Sequence, residues 1–187
     1  MCSSITFCTA ADCPWKSRRH TRGGKGAETA LITTRGVRDV LEMRRLRSPE
    51  MYTLNYPKPE PLVPRRRRLE VVERMGPRGE VRVDLDEASV TAALTRLGGK
   101  EVEAVAISLL HAYANPCHEQ AIASMVAKEF PDLHVSTSAD VHAGLGEWER
   151  WTTASMNAYT KPLFDRYLAR IEDRLAKLGF TERLYIM

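Results

Sequence analysis

The sequence contains 187 residues, of which 43% are hydrophobic and 28% charged, and its formal net charge is +4. This composition is that of an ordinary globular domain, and it excludes collagen-like, mucin-like and low-complexity chains. No run of about 18 apolar residues is present, so we expect neither a membrane-spanning helix nor a membrane partner. The basic excess is concentrated in residues 16–25 and 65–68, a pattern that permits a nucleic-acid partner without favouring one.

Residues 1–24 show no hydrophobic period and contain three of the four cysteines, Cys2, Cys8 and Cys13. These would be either metal ligands or free thiols, and we favour free thiols because no CxxC pair or zinc-finger spacing occurs. We therefore expect a disordered or artefactual segment here. Apolar residues precede the basic run instead of following it, which is the reverse of a secretory signal. A reducing, cytoplasmic location is expected.

The next part of the chain predicts a strand, a short helix and an extended connection. The run TALITT at residues 29–34 is apolar and β-branched, as in a buried strand. Apolar residues then recur at helical spacing over residues 37–44, which predicts a short helix. Residues 49–64 contain repeated prolines, which a long helix cannot accommodate, and they predict an extended segment.

A β-hairpin and a second helix are predicted next. Two apolar segments, residues 69–75 and 81–85, flank a Gly-Pro-Arg-Gly turn and would pair as a hairpin. Residues 87–97 place apolar side chains on one helical face, and the two glycines that follow end this helix.

The second half of the chain predicts a βαβ unit. Residues 104–110 (AVAISLL) form a continuous apolar run, which is typical of a central parallel strand. A helix is predicted from Asn115 and Pro116 to residue 130, because proline is favoured in a first helical turn. A short strand follows at residues 133–136 and completes the unit.

Residues 147–178 predict a long helix, which Pro162 is expected to kink or split. Its buried stripe is predicted from seven large side chains: Met156, Tyr159, Leu163, Tyr167, Leu168, Ile171 and Leu175. An apolar strand begins at residues 184–187, where the chain stops, and this favours a truncated domain. The alternation of strands and helices predicts the α/β class, with helices on both faces of a parallel sheet.

Four polar residues follow the predicted central strand: His111, Asn115, His118 and Glu119. Ligands bind at the carboxyl ends of strands in open α/β sheets, so these residues are placed for a site. The alternative is local structure, with Asn115 and Pro116 as a turn and cap and His118 on the surface. Spacing alone leaves both interpretations open.

Other polar groups are weaker candidates. The long helix carries a polar stripe at its start, which would need partners if buried or would be an ordinary solvated face. Its members are Glu149, Arg150, Thr152, Thr153 and Asn157. The first helix carries residues suited to local ion pairs: Arg38, Asp39, Glu42 and Arg44. The arginines at 65–68 would contact phosphate or begin a solvated strand, and we favour the strand because no aromatic or glycine-rich segment lies beside them.

Common catalytic motifs are absent, since no GxxxxGK[ST], GxGxxG, GxSxG or HExxH pattern occurs. Five blocks are more informative when they are taken together. They are ALITTRGVRDVLEMRRLRSPEMY (30–52), KPEPLVPRRRRLEVVER (58–74), EAVAISLLHAYANPCHE (103–119), GEWERWTTASMNAYTKP (146–162) and LYIM (184–187). In order and spacing they resemble the N-terminal region of the hydantoinase A / 5-oxoprolinase family, over about residues 26–187.

The resemblance implies that residues 25–187 form an incomplete actin-like, ribonuclease-H-like ATPase-type domain. It also implies ATP and a divalent metal, and an enzyme that phosphorylates an oxygen to open a cyclic amide such as hydantoin or 5-oxoproline. Relatives in the family carboxylate ketones. The family's Asp-Gly-Gly-Thr-type phosphate loop and His-Gly-Thr-type segment are missing here, as are its Ser-Asn-Gly-Gly-type segment and large second domain. We therefore expect a fragment, cut at both ends, with no turnover of its own and no assignable ATP or metal ligand.

The residues that match the family blocks are carried over without a nucleophile or base role. The catalytic candidates are His111, His118, Glu149 and Arg150. The candidates for a substrate cleft or domain interface are Arg38, Asp39, Arg44, Asn115, Glu119, Thr152, Thr153, Asn157 and Tyr159.

Three functions remain open at this point. The favoured one is a fragment of an ATP-dependent cyclic-amide hydrolase, whose partner would be the missing C-terminal domain. The second is a non-catalytic subunit or binding module of a multi-chain hydantoinase- or acetone-carboxylase-like complex, completed by a second hydantoinase-type subunit. The third and least favoured is a basic nucleic-acid binder that uses residues 16–25 and 65–68.

Overall fold

A computed structural model describes residues 26–45, 60–98, 102–180 and Leu184. Three predictions therefore lie outside the described residues: the unpatterned segment 1–24, most of the proline-rich stretch 49–64, and the strand at 184–187.

The described chain forms six strands and five α-helices. They are β1 (Thr29–Thr34), α1 (Val40–Met43), β2 (Arg68–Val71), β3 (Arg74–Met75), β4 (Val81–Val83), α2 (Glu87–Gly98), β5 (Ala104–Ser108), α3 (Cys117–Glu129), β6 (His134–Thr137), α4 (Ser138–Val141) and α5 (Glu147–Lys177). A 3-10 turn at Arg65–Arg67 directly precedes β2.

The main sheet has four parallel strands in the order β2-β1-β5-β6. The chain passes from β1 to β2 on one side and reaches β5 and β6 on the other, so its direction across the sheet reverses between β1 and β5. All residues of β1 and β5 are buried, because both strands are covered on both faces. This arrangement confirms the predicted α/β class and the β5–α3–β6 unit.

Helices cover the two faces in opposite pairs. Right-handed connections that move to opposite sides of β1 must cross opposite faces of the sheet. On one face, α2 and α3 pack against Ile32 and Ile107. On the other face, α1 and α5 pack against Leu31 and Ala106, with Trp151 of α5 at the centre of the cluster. Hydrophobic burial on both faces therefore holds the sheet in place.

The predicted hairpin is shorter than expected. Only β3 and β4 pair antiparallel, whereas β2 joins the main sheet beside β1. The apolar run at residues 69–75 thus belongs to two sheets. Leu69 and Val71 are drawn into the main sheet because the core can bury them there and the hairpin cannot.

The buried stripe predicted for α5 is wrong. Met156, Leu163 and Tyr167 are 39%, 37% and 60% exposed. The side chains that face the sheet are instead Trp151, Ala154, Ser155, Ala158 and Pro162. Apart from Trp151, these side chains are small, which lets the helix approach the sheet closely.

The helix α5 is continuous from Glu147 to Lys177, so Pro162 does not split it. The predicted helix at residues 37–44 is shorter than expected, since α1 spans only Val40–Met43. The four-residue α4 was not predicted at all.

Arg68 was expected on a solvated strand start, and this expectation is wrong. It is 2% exposed. Its guanidinium donates from Nε to the Val63 carbonyl oxygen (3.0 Å), from Nη1 to the Arg38 carbonyl oxygen (3.2 Å) and from Nη2 to Glu42 Oε1 (3.1 Å). Arg68 therefore joins β2 to α1, and it is unavailable to a phosphate.

We predict that Arg68→Met lowers the free energy of unfolding by about 2–3 kcal/mol, because two carbonyls and one carboxylate lose their donor. Urea denaturation measures the change. The matched control is Arg78→Met in the exposed hairpin turn, which should shift stability by less than about 0.5 kcal/mol. Equal losses in the two variants would contradict the bracing role.

Candidate functional site

The carboxyl ends of β1 and β5 meet where the sheet reverses its winding, which is where open α/β sheets bind ligands. Polar side chains from five parts of the chain converge there. They are Thr34 at the end of β1, Glu73 after β2, His118 and Glu119 in the first turn of α3, Ser138 at the start of α4, and Arg150 in the first turn of α5.

Thr34, Glu73 and His118 form a continuous hydrogen-bonded chain. Thr34 Oγ1 accepts from the Leu110 backbone N–H (3.0 Å) and donates to Glu73 Oε1. Glu73 Oε2 lies 3.0 Å from His118 Nδ1. The side chain of Glu73 is fully buried and that of His118 is 11% exposed.

This arrangement orients the His118 ring. A carboxylate can only accept, so His118 Nδ1 carries the hydrogen towards Glu73, and Nε2 is left to accept or pass on a proton. An imidazole held by a buried carboxylate is the usual construction of a proton-transfer group. Glu73 would stabilise the ring when it carries a charge, as a positioning residue.

Glu119 braces the same edge. Its Oε1 accepts from the Leu109 backbone N–H (2.8 Å) and from Ser138 Oγ (2.6 Å), and its Oε2 accepts from the Ala139 backbone N–H (3.0 Å). Burial raises the pKa of this carboxyl, although these three donors and the charge of Arg150 oppose the rise. Glu119 thus connects α3 to the end of β5 and to α4.

Arg150 is fully buried on the other side of the strand end. Its Nη2 donates to the Leu109 carbonyl oxygen (2.6 Å), and its Cζ lies 5.4 Å from the centroid of the Tyr113 ring. Burial lowers the pKa of this guanidinium, and the nearby charge of Glu119 opposes the change. Among the described residues, no carboxylate lies within 4.0 Å of it as an ion-pair partner.

His111 and Asn115 lie beside the chain of Thr34, Glu73 and His118 without joining it. His111 has a φ of +54° and packs edge-on against Tyr113. Asn115 Nδ2 donates to the Gly79 carbonyl oxygen (3.0 Å), and its Oδ1 accepts from the Cys117 backbone N–H (3.1 Å). Asn115 therefore ties the hairpin turn to the start of α3.

The polar residues of α5 are distributed around the helix. Glu149 pairs with Arg45, and Thr153 is exposed and donates to the Glu149 carbonyl oxygen (2.8 Å). Thr152 is half-buried. Asn157 Nδ2 donates to Ser136 Oγ (3.0 Å) and so links α5 to β6. Of the polar residues predicted on this helix, Arg150 reaches the end of β5, and the others do not gather there with it.

The residues of the first helix form ion pairs with β2 and with the turn that precedes it. Arg38 lies 3.7 Å from Glu70. Asp39 accepts two bonds from Arg65 (2.9 and 3.1 Å), and this pairing holds the pKa of Asp39 below its usual value. Arg44 ends α1 with a φ of +54°.

Tyr159 lies at the opposite, amino edge of the sheet. Its hydroxyl accepts from the Gly26 backbone N–H (3.0 Å), and its carbonyl oxygen accepts from the Ala27 backbone N–H (3.0 Å). Any Cβ on Gly26 would lie about 2 Å from the Tyr159 ring, so the ring covers this glycine closely.

Three polar residues of the edge were not candidates in the sequence: Thr34, Glu73 and Ser138. The available signal was their position at or just after the end of an apolar or β-branched segment. For Glu73 this signal was obscured, because the run was assigned to a hairpin and not to a parallel strand.

Within residues 26–45, 60–98 and 102–180, no group of three or more His, Cys, Asp or Glu side chains is placed to hold a metal ion. No helix in the same described residues is long and apolar enough to cross a membrane.

Comparisons with known proteins bear on the family and the fold of this chain. Residues 20–130 match the family described as the hydantoinase/oxoprolinase N-terminal region. The chain is 35% identical over 156 residues to the caprolactamase subunit alpha of Pseudomonas jessenii, which covers 82% of this chain and 22% of that protein. It is 29% identical over 178 residues to the 5-oxoprolinase of Saccharomyces cerevisiae, which covers 81% of this chain and 14% of that protein.

The crystal structure of the ATP-dependent caprolactamase from Pseudomonas jessenii superimposes with a TM-score of 0.79 at 34% identity. The match covers 84% of this chain and 23% of that chain. The chain thus spans less than a quarter of the length of these relatives.

We predict that Glu119→Gln changes the pH dependence of stability. The folded pKa of Glu119 is raised above its ordinary 4.5, so the protonated form is favoured on folding. Its stabilising contribution is therefore complete below pH 4.5 and is lost as the pH rises through the folded pKa. Between pH 4.5 and the folded pKa of Glu119, the wild-type chain should therefore lose stability relative to the glutamine variant. Urea denaturation from acid to neutral pH measures this loss.

The control for this prediction is Ala127→Gln on the exposed side of α3, whose difference from wild type should stay constant with pH because neither side chain is ionisable. A constant difference for Glu119→Gln as well would show that its pKa is not raised.

Proposed function

The chain belongs to the hydantoinase/oxoprolinase family, and we propose that it forms the substrate-side N-terminal part of an ATP-dependent enzyme that opens cyclic amides. The observation that carries the proposal is the buried Glu73–His118 pair at the carboxyl ends of the strands. It lies where an open α/β sheet receives a ligand. Relatives named 5-oxoprolinase and caprolactamase support the substrate class.

Opening a cyclic amide requires a proton for the departing nitrogen. We infer that His118 delivers this proton from Nε2, while Glu73 fixes the ring through Nδ1. Thr34 keeps Glu73 in place by donating to its second carboxylate oxygen. ATP, when bound to the parts of the enzyme outside this chain, would supply a phosphoryl group to the amide oxygen and so make the amide carbon open to attack by water, after which the C–N bond breaks and the nitrogen takes the proton.

The described residues do not fit the ATP and metal part of this chemistry. They hold no cluster of three potential metal ligands, and the sequence contains no phosphate loop of the GxxxxGK[ST] type. We therefore assign ATP and the metal to no residue here, and we propose that turnover needs the other parts found in the longer relatives. We also propose a cytoplasmic location, in keeping with the free thiol of Cys117.

We predict that the purified chain alone opens the ring of neither 5-oxoproline nor hydantoin in an assay of ATP-dependent ring opening. In contrast, a chimera of the caprolactamase subunit alpha, in which this chain replaces the matched segment, should be active. In that chimera His118→Ala should lower kcat by about 10²–10⁴-fold, the range for loss of a proton-transfer group. Glu73→Gln should lower kcat less, because the ring remains but its orienting charge is lost.

The matched control in the chimera is His134→Ala, at the amino end of β6, which should leave kcat unchanged. A kcat for His118→Ala within a few-fold of the parent chimera would refute the role of His118. Clear turnover by the isolated chain would refute the need for other parts.

A second candidate function is a non-catalytic subunit of a multi-chain complex. One relative is itself named as a subunit. Beyond Pro162, α5 exposes large apolar side chains: Phe164 and Tyr167 are 59% and 60% exposed. Residues three apart lie on the same helical face, so these two rings form one apolar surface. The partner that we propose for it is the remaining part of a hydantoinase-type protein.

We predict that the chain forms a stable complex with caprolactamase subunit alpha that lacks the matched segment, measured by analytical ultracentrifugation. Replacing both rings, by Phe164→Asp and Tyr167→Asp, should weaken binding at least tenfold, since loss of one buried aromatic anchor commonly costs that much. The control is Val81→Asp, an exposed apolar position on the hairpin. Equal affinity for all three proteins would exclude this surface.

A further inference from the structure

A group of buried polar side chains lies against α5, and it has no partner in the described structure. Six atoms are fully enclosed without a hydrogen bond: Thr33 Oγ1, Ser108 Oγ, Arg150 Nε, Arg150 Nη1, Trp151 Nε1 and Ser155 Oγ. The five residues are at most 1% exposed. Each unpaired buried polar group costs about 1–3 kcal/mol, so a cluster of this size is an exception that needs an explanation.

The five residues share one face of the sheet and lie near one edge. Thr33 is the next-to-last residue of β1, Ser108 is the last residue of β5, and the two are register partners. Side chains alternate along a strand, so Thr33 points to the same face as Leu31, which packs against α5. Ser108 points to the same face as Ala106 for the same reason.

The remaining members come from the helix that covers this face. Trp151 and Ser155 are one helical turn apart, on the side of α5 that is buried against the sheet. Arg150 reaches the strand end, where its Nη2 donates to the Leu109 carbonyl oxygen. The orphaned atoms therefore come from both sides of one interface.

All six orphaned atoms can donate a hydrogen bond, and three of them can only donate. Arginine and indole nitrogens donate and cannot accept, and the three hydroxyls are free to donate as well. The guanidinium adds a positive charge. Glu119 is the acidic group with the largest electrostatic effect on Arg150, but its two oxygens already accept hydrogen bonds from three other donors. The two guanidinium nitrogens and the indole nitrogen can only donate, and none of them has an acceptor, so their natural complement is an oxyanion.

We propose that the donors around Arg150 form an oxyanion-binding site, for a carboxylate or a phosphoryl group. The site stands on these unpartnered donors and does not depend on the proposed ring opening. Tyr113 provides the way in: it is half-buried, and its ring covers the Arg150 guanidinium. An oxyanion would replace that ring beside the guanidinium and bind along one of its edges. There Nε or Nη1 would donate together with the second N–H of Nη2, whose first N–H is held by the Leu109 carbonyl oxygen.

The test uses the full chain labelled with ¹⁵N in chloride-free buffer, and it follows the Arg150 Nε–H and Trp151 indole N–H signals by NMR. The probes are acetate, inorganic phosphate, 5-oxoproline and ATP, each added up to about 10 mM, which fills a site of millimolar affinity. We expect at least one probe to shift both signals to saturation. Acetate and 5-oxoproline together indicate a carboxylate site, whereas phosphate and ATP indicate a phosphoryl site.

Two variants keep the test decisive. Arg150→Met should abolish the shift of the indole signal. If that variant does not fold, Ser108→Ala with Ser155→Ala removes two donors at little change in volume and should weaken binding about tenfold or more. Arg82→Met on the exposed hairpin is the control and should bind as wild type.

Two outcomes would overturn the proposal. One is that no probe moves either signal, in which case internal water satisfies the donors. The other is that the double serine variant binds with wild-type affinity, which would place the anion elsewhere. Because the measurement is binding by the chain itself, its failure would leave the ring-opening proposal untouched, and the reverse also holds.

Discussion

The geometry of the carboxyl edge depends on the carboxylate of Glu119. Its three accepted hydrogen bonds join α3 to the end of β5 and to the start of α4. His118 precedes it in the same helical turn, so the bonds that hold Glu119 also place the His118 ring against Glu73. One buried acceptor thereby sets the position of the proton-transfer pair.

This arrangement carries an electrostatic cost that its neighbours reduce. Burial disfavours the charge on Glu119 and also the charge on Arg150, so each group would be expensive alone. Each lowers the cost of the other through space, although they share no direct ion pair. The oxygens of Glu119 accept from two backbone N–H groups and from Ser138, and Nε and Nη1 of Arg150 have no hydrogen-bond partner. A buried pair with complete mutual bonding would leave no capacity for a ligand.

Local pattern predicted the strands and helices, but contacts between distant residues decided the site. The apolar run at residues 104–110 led correctly to β5 and to the unit that contains α3. The polar residues after that run predicted His118 and Glu119 as candidates, and the fold places both at the carboxyl ends of the strands. Glu73 could not be found in this way, because its partner His118 lies 45 positions further along the chain. The stripe of α5 failed for a similar reason: its helical period allows two faces, and only the sheet selects the one with Trp151.

The two polar groups of the edge are separated by the sheet itself. Thr34 and Glu73 lie with α3 on one face, whereas Thr33 and Ser108 lie with α5 on the other. Consecutive residues of a strand point to opposite faces. The hydroxyl of Thr34 therefore lies in the group with Glu73, and the hydroxyl of Thr33 lies in the group with Ser108. A ligand seated across the ends of β1 and β5 would therefore meet a proton-transfer imidazole on one side and a cationic set of donors on the other. Both sides follow from the reversal of winding between these two strands, since it puts helices of opposite faces at the same edge.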